Sequence, residues 1–111
     1  YNTSQVMMKR GERFGVNKAY IRPIAGVRRN FHLFTETECT RILFEGRRAV
    51  GVEVLAGSSR RVVRCRREVV VACGGILSPK LLQLSGVGDG DALRRLGVPV
   101  VHHLPAVGRN L

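Results

Sequence analysis

The sequence predicts an α/β fold that includes an antiparallel β-meander. Between residues 30 and 68, segments with alternating apolar residues are separated by tight turns, which is typical of adjacent antiparallel strands. An unbroken apolar run at residues 69–72 is instead typical of a parallel strand with both faces covered. A Ser-Pro pair follows and indicates that a helix begins soon after this strand. The 111 residues suffice for one domain with a modest core.

Three segments predict the strands of the meander. NFHLFTETECTRILFEG (30–46) predicts one long strand, or two strands with a kink, that end at its Glu-Gly pair. AVGVEVL (49–55) alternates and predicts the second strand, and VVRCRRE (62–68) predicts the third. Glycine and proline interrupt the residues before this meander, where KAYIRPI (18–24) is either a short helix or an extended piece.

The remaining elements follow the meander in the order strand, helix, helix, strand. EVVVAC (68–73) predicts the parallel strand, and Ser78 and Pro79 are the expected N-cap and first residue of a helix that ends at SGVG (85–88).

ALRRL (92–96) predicts the second helix, with Asp89 or Asp91 as its N-cap and Gly97 just beyond its end. VPVVHHL (98–104) predicts the last strand, which a terminal turn follows.

The charge raises the question of a nucleic-acid partner. The chain has 19 Lys and Arg against 8 Asp and Glu, a formal charge of +11. The arginines occur as scattered pairs without the interleaved aromatic residues that stack on bases, so we expect no nucleic-acid partner. A small basic nucleic-acid-binding domain remains the alternative, and steeply salt-dependent retention on DNA would favour it. No apolar run reaches the roughly 20 residues of a membrane segment.

The cysteines predict reduced thiols. Cys39, Cys65 and Cys73 are odd in number and widely spaced, and no histidine completes a zinc pattern with them. We therefore expect no metal and a reducing, cytoplasmic compartment.

Two glycines at the predicted carboxyl end of the parallel strand are candidates for ligand binding. Gly74 and Gly75 would let the backbone approach a bulky polar group, at the edge where α/β sheets bind nucleotides. A plain strand-to-helix turn that needs glycine only for its geometry is the equally open alternative.

The stretch GGILSPKLLQLSGVG (74–88) resembles the second signature of the glucose–methanol–choline (GMC) oxidoreductases, except that Gly75 replaces the usual Ala or Ser. The flanks agree, and RILFEGRRAVGVEV (41–54) is most similar to the choline-dehydrogenase-like branch. The resemblance implies an FAD/NAD(P)-binding (Rossmann-like) domain with FAD as cofactor, which serves an enzyme that oxidises a small-molecule alcohol by hydride transfer to the flavin. Residues 1–111 would then be a partial FAD-binding domain, truncated at both ends.

The resemblance also implies a set of cofactor-binding residues. Cys39 stands where the family usually has a Val whose backbone reads the adenine edge of FAD. Ala72, Cys73 and Gly74 match a segment that lies along the adenosine half, although Cys73 is larger than the usual Ala. Asn110 matches the beginning of a stretch near the flavin.

The same resemblance implies what this sequence does not hold. The family's G-x-G-x-x-G motif and its carboxy-terminal catalytic histidine find no match, so we expect no catalytic residue here and a contribution from the remainder of a parent chain. His102 and His103 are expected to be exposed histidines of a strand. A degenerate, non-catalytic remnant of the family is a further alternative.

Overall fold

The structure is a computed structural model that describes residues 7–110. The chain divides into two compact units, Tyr1–Thr35 and Glu36–Leu111.

The first unit consists of a small hairpin and one helical segment. Strands β1 (Met8–Lys9) and β2 (Glu12–Arg13) pair antiparallel. The Lys9 ammonium lies 5.0 Å from the centre of the Phe14 ring, a cation–π distance. A single π-helical turn follows at Asn17–Ile21, so the helical alternative for KAYIRPI holds up to Ile21.

The second unit begins with the predicted meander. Strands β3 (Thr37–Glu45), β4 (Arg48–Ala56) and β5 (Ser59–Arg64) form a three-stranded antiparallel sheet in the order β3-β4-β5. The predicted end of the first strand at Glu45 is confirmed. The predicted start of β3 and both predicted bounds of β5 are wrong.

The first wrong bound is the beginning of β3, which lies at Thr37 and not at Asn30. Glu36 has a φ of 51°, and this left-handed conformation is incompatible with an extended strand. The bounds of β5 also differ from the prediction. This strand begins at Ser59, because its pairing with β4 starts directly after the tight turn, and it ends at Arg64.

The run at residues 69–72 is irregular, and its assignment to a buried parallel strand is wrong. Val70 is 77% exposed. A parallel strand needs hydrogen-bonded neighbours along its edges and covered faces. Within residues 7–110, no strand pairs with this run.

Helix α1 (Gly74–Leu84) begins earlier than predicted. Its N-cap residue is Cys73, and Pro79 lies inside the helix, where its missing N–H removes one helical hydrogen bond. Ser78 is not the N-cap, but its hydroxyl accepts a hydrogen bond from the Cys73 N–H at 3.0 Å. Ser78 therefore satisfies a backbone donor at the helix start from within the helix.

The carboxy-terminal part forms a small strand–helix–strand unit. Strands β6 (Val87–Gly88) and β7 (His102–His103) pair in parallel, and helix α2 (Gly90–Arg95) connects them. The predicted last strand is therefore reduced to two residues, because only these two pair with β6. The prediction of Gly97 beyond the helix end is confirmed by its φ of 71° after the C-cap residue Leu96.

A buried serine joins the meander to α1. Ser85 is 2% exposed, and its hydroxyl donates to the Leu81 carbonyl oxygen at 2.6 Å. The same hydroxyl accepts from the Ile42 N–H at 2.8 Å, on the edge of β3 that does not pair with β4. Ile42 and Leu81 are themselves 3% and 7% exposed, so this contact lies in the core of the unit.

Position 86 requires a glycine because of its backbone conformation and its close neighbours. Its φ is 89°, and a Cβ atom built there would collide with the Pro99 carbonyl oxygen. The Gly86 carbonyl accepts hydrogen bonds from the N–H groups of Val101 and His102 at 2.8 and 3.1 Å. The chain after α1 thus packs directly, backbone against backbone, on the segment that leads into β7.

Asp89 caps α2 and anchors the terminal turn. Its carboxylate accepts from the N–H groups of Asp91 and Ala92 at 3.1 and 3.3 Å, which confirms it as the N-cap. Its other oxygen lies 3.1 Å from the Arg109 guanidinium. The Ala92 N–H holds the pKa of Asp89 below its ordinary value, and the charges of Arg109 and His103 act in the same direction.

We expect Ser85→Ala to lower the free energy of unfolding by about 1–3 kcal/mol, because it leaves the buried Ile42 N–H without its acceptor. Urea unfolding of the protein measures the change. The matched control is Ser58→Ala, an exposed position in the β4–β5 turn, which should change stability by less than about 0.5 kcal/mol. Equal effects of the two substitutions would contradict the role given to Ser85.

The cap at Asp89 predicts a pH dependence. A carboxyl group whose pKa is lower in the folded state stabilises that state above its unfolded pKa of about 3.9 and ceases to do so as pH falls through the folded value. Asp89→Asn keeps the cap but does not titrate. Wild type should therefore exceed the variant in stability near neutral pH and lose that advantage in acid, as urea unfolding at several pH values would show. A difference independent of pH would refute this.

Candidate functional site

Helix α1 lines three of the clefts found among the described residues, and the two of about 280 Å³ each contain residues that the sequence selected. The first, here named the strand cleft, lies between β3 and α1. Its lining residues are Glu38, Cys39, Thr40, Cys73, Leu77, Lys80, Leu81 and Leu84. The second, here named the turn cleft, lies between α1 and the terminal turn. Its lining residues are Gly75, Ile76, Pro79, Lys80, Gln83, Gly108, Arg109 and Asn110.

The strand cleft combines an apolar wall with a strand edge. Leu77, Leu81 and Leu84 come from α1 and supply the apolar side. Opposite them, β3 is an edge strand of its sheet, and its register shifts between Cys39 and Arg41. Because an edge strand presents backbone donors and acceptors that its own sheet does not use, this wall can recognise the polar rim of a flat ring.

Cys39 is held as a neutral thiol in this cleft. Burial raises the pKa of the Cys39 thiol, a backbone hydrogen bond at Arg41 offsets part of the rise, and the charge of a Cys73 thiolate raises it further. The Cys39 Sγ lies 4.0 Å from the Arg41 carbonyl oxygen, as a weak donor. A protonated thiol behaves as a small apolar group, which suits this wall of the cleft.

The turn cleft is more polar and carries positive charge. Lys80 and Arg109 both line it. The Gln83 amide donates to the Val107 carbonyl oxygen at 3.2 Å and so ties the terminal turn to α1. Asn110 follows with a φ of 60°. Two cations beside a side-chain amide are groups suited to an anionic or strongly polar ligand.

Three of the residues that sequence reasoning selected line the clefts, and Gly74 and Ala72 line neither. Cys39 and Cys73 line the strand cleft together, whereas Asn110 lines the turn cleft. Gly74 opens α1 with a φ of 83°, and nothing lies within 4 Å of the position that a Cβ would take there. Ala72 lies in the irregular segment before α1 and lines neither cleft.

Sequence reasoning missed Leu77, Lys80 and Gln83. Cys73, Leu77 and Leu84 recur at helical spacing and mark one face of α1, while Lys80 contributes to both clefts. This spacing was readable in the sequence. The spacing does not indicate a shared helix face if the helix begins at Ser78, because Cys73 and Leu77 then lie outside the helix.

The histidines of β7 have structural partners. The Arg47 guanidinium lies 3.3 Å from the half-buried His102 ring, and the exposed His103 Nδ1 accepts the Gly90 N–H at 2.9 Å. The expectation of an exposed residue therefore holds for His103 only. Neither histidine lines the two clefts.

The described part of the chain also bears on metals, disulfides and membranes. Among residues 7–110, no three His, Cys, Asp or Glu side chains are grouped so that they could hold a metal ion. Cys39, Cys65 and Cys73 are free of disulfides. None of the helices described is long and apolar enough to cross a membrane.

The sequence matches a known family and its members. The family model described as GMC oxidoreductase matches residues 2–111. The mitochondrial choline dehydrogenase of Mus musculus is 48% identical over 101 residues, which are 91% of this chain and 17% of that protein. The oxygen-dependent choline dehydrogenase of Burkholderia thailandensis is 50% identical over 102 residues, 92% of this chain and 18% of that protein. The chain thus spans less than a fifth of the length of these relatives.

Solved structures share the fold. An FAD-dependent oxidoreductase from Chaetomium thermophilum superposes with a TM-score of 0.83 at 35% identity, over 88% of this chain and 17% of that one. Pyridoxine 4-oxidase from Mesorbium loti gives a TM-score of 0.79 at 26% identity, over 88% of this chain and 19% of that one. The predicted fold class is confirmed by these likenesses. Because the family model spans residues 2–111, and because the fold agrees, the chain belongs to the GMC oxidoreductase family, which uses FAD.

Proposed function

We propose that residues 1–111 are a partial FAD-binding domain and form the adenosine-side part of an FAD site. The complete polypeptide would oxidise an alcohol CH–OH group, with the flavin as the hydride acceptor. The observation that carries this proposal is the strand cleft, in which Cys39 on the edge of β3 and Cys73 at the start of α1 face a common apolar space.

The groups present fit the chemistry of adenosine. Adenine has apolar faces and a polar rim, and the strand cleft offers leucines on one wall and a strand edge on the other. A cleft of about 280 Å³ is at the lower limit of small-molecule pockets, roughly 300–1,000 Å³, so it suits one part of a dinucleotide. Backbone groups near Cys39 would read the rim, and Leu77 would cover a face.

The polar remainder of the cofactor fits the turn cleft better. Lys80 provides positive charge there, Arg109 provides a guanidinium that is already paired with Asp89, and Asn110 provides an amide. Lys80 lines both clefts, so it would neutralise negative charge on a ligand that runs from one to the other. We propose Cys39, Cys73, Gly74 and Asn110 as cofactor-binding positions, with Ala72 contributing through the backbone that leads into Gly74.

The alcohol and its proton acceptor would be handled elsewhere in the polypeptide. No described histidine lines either cleft, and the proposal therefore assigns no catalytic residue to this chain. Since two similar proteins are named choline dehydrogenases, choline is the first alcohol to test. Location in the cytoplasm stays a prediction.

The high positive charge does not favour nucleic-acid binding as a second function. Four arginines, Arg60, Arg64, Arg94 and Arg109, lie in ion pairs with carboxylates of the same unit. The charge is therefore distributed over the surface and partly balanced, in contrast to the concentrated basic face that a nucleic acid requires.

We expect Gly74→Val to lower flavin affinity in the complete polypeptide at least about tenfold, roughly 1.4 kcal/mol. A branched side chain at a φ of 83° is strained, and it would project into the open space along the proposed adenosine position. Gly75→Ala should keep flavin, because Gly75 is not among the positive-φ residues. The measurement is the ratio of flavin to protein absorbance, with circular dichroism as a folding control.

The matched control for backbone strain is Gly57→Val. Gly57 also has a positive φ, 58°, and no atom lies within 4 Å of the position that its Cβ would take, but this glycine lies in the β4–β5 turn. The variant should lose some stability and keep its flavin. If Gly74→Val and Gly57→Val retain flavin equally, Gly74 serves only the turn, and the adenosine assignment is wrong.

A further inference from the structure

Two cysteines from separate elements line the strand cleft. Cys39 lies in β3 and is half-buried, whereas Cys73 is exposed at the N-cap of α1. The two residues line the same cleft, and the charge of Cys73 contributes to the raised pKa of Cys39. The third cysteine, Cys65, points to a different partner, the Ala49 carbonyl oxygen at 3.5 Å.

We propose that Cys39 and Cys73 form a redox-sensitive dithiol, which a peroxide converts to a disulfide across the strand cleft. Formation of this disulfide does not depend on the proposed function. The additional inference that the disulfide expels flavin rests on the proposed function.

The two partners are held by different kinds of backbone contact. Cys39 is fixed by its pairing with Val54 in the sheet. Cys73 ends the irregular segment 65–73, which lacks ladder partners within residues 7–110 beyond the bond from the Cys65 N–H to Val50. A disulfide requires Cα atoms within about 7 Å, so the proposal implies that Cys73 comes this close to Cys39. Such a movement would break no strand pairing of the segment before Cys73 within residues 7–110, and it would act against the hydrogen bond from the Cys73 N–H to Ser78.

The order of the two steps follows from exposure. The Cys73 thiolate meets the peroxide first, attacks one oxygen and breaks the O–O bond, which gives a sulfenic acid and one water after proton uptake. Cys39 then releases its thiol proton and attacks the Cys73 sulfur as the thiolate. The S–S bond forms, the S–O bond breaks, and the leaving hydroxide takes up a proton as a second water. Two thiols are oxidised and one peroxide is reduced to two waters.

The disulfide and an occupant of the strand cleft exclude each other. Both cysteines line the space that the occupant would fill, so a bond between their sulfur atoms would narrow it. Linkage is reciprocal: if the disulfide weakens flavin binding, bound flavin must protect the two thiols from oxidation to the same extent. Peroxide would therefore act on the flavin-depleted protein and spare the loaded one.

The test treats the complete polypeptide, flavin-loaded and flavin-depleted, with hydrogen peroxide. Peptide mapping without reductant should find Cys39 linked to Cys73 in the depleted protein, and dithiothreitol should reverse the link. The matched control Cys65→Ser should behave as wild type. Cys39→Ser should stop at the Cys73 sulfenic acid, which dimedone traps. Absence of the Cys39–Cys73 link, or a link through Cys65, would overturn the proposal.

A second measurement separates this inference from the proposed function. Flavin is added back to the oxidised protein, and we expect at least a tenfold weaker affinity that dithiothreitol restores. If the disulfide forms and flavin affinity is unchanged, the redox-sensitive dithiol is supported and the assignment of the strand cleft to adenosine is wrong. If no disulfide forms while Gly74→Val still loses flavin, the assignment stands and the dithiol is refuted.

Discussion

The hydrogen bond from the Ile42 N–H to the buried Ser85 hydroxyl holds the meander against α1, and the candidate site depends on it. One hydroxyl serves both elements, because it also donates to Leu81 one turn earlier in the helix. Loss of such a group leaves a buried donor unpaired, which costs more than an ordinary surface hydrogen bond contributes. The strand cleft lies between the two elements that this serine joins, so its width at this end is set by a fixed contact.

The two ends of the motif at 74–88 therefore have different roles. Its Ser-Gly-x-Gly end is structural: Ser85 joins helix to strand, and Gly86 permits backbone packing against Pro99. Its Gly-Gly beginning lies beside open space, since nothing occupies the position of a Cβ at Gly74. Neighbouring atoms alone explain the glycine at position 86, whereas at Gly74 the left-handed conformation is accompanied by open space that a ligand could use.

Local chemistry was predictable from the sequence, and long-range pairing was not. The Asp89 cap and the end of β3 at Glu45 depend on residues within one turn, and both were found. The run at 69–72 failed because a parallel strand is defined by partners that a hydrophobic pattern does not name. The site residues came from resemblance to the family. Cys39 and Cys73 share a cleft because α1 begins at Gly74. The Ser-Pro pair instead predicts a helix that begins after Ser78.

Both cysteines lie away from the Ser85 contact, at the end of the strand cleft where a ligand can enter. Cys73 precedes Ser85 by roughly 18 Å along the helix at about 1.5 Å per residue, and Cys39 precedes Ile42 by roughly 10 Å along β3. β3 and α1 thus run in the same direction from the cysteine end to the clamped end. The buried core residues Ile42 and Leu81 lie towards the clamped end, whereas Cys73 at the start of α1 is exposed. The strand cleft is thus fixed by core contacts at one end and accessible at the other, so a flat ring and the proposed disulfide would use the same end of the cleft.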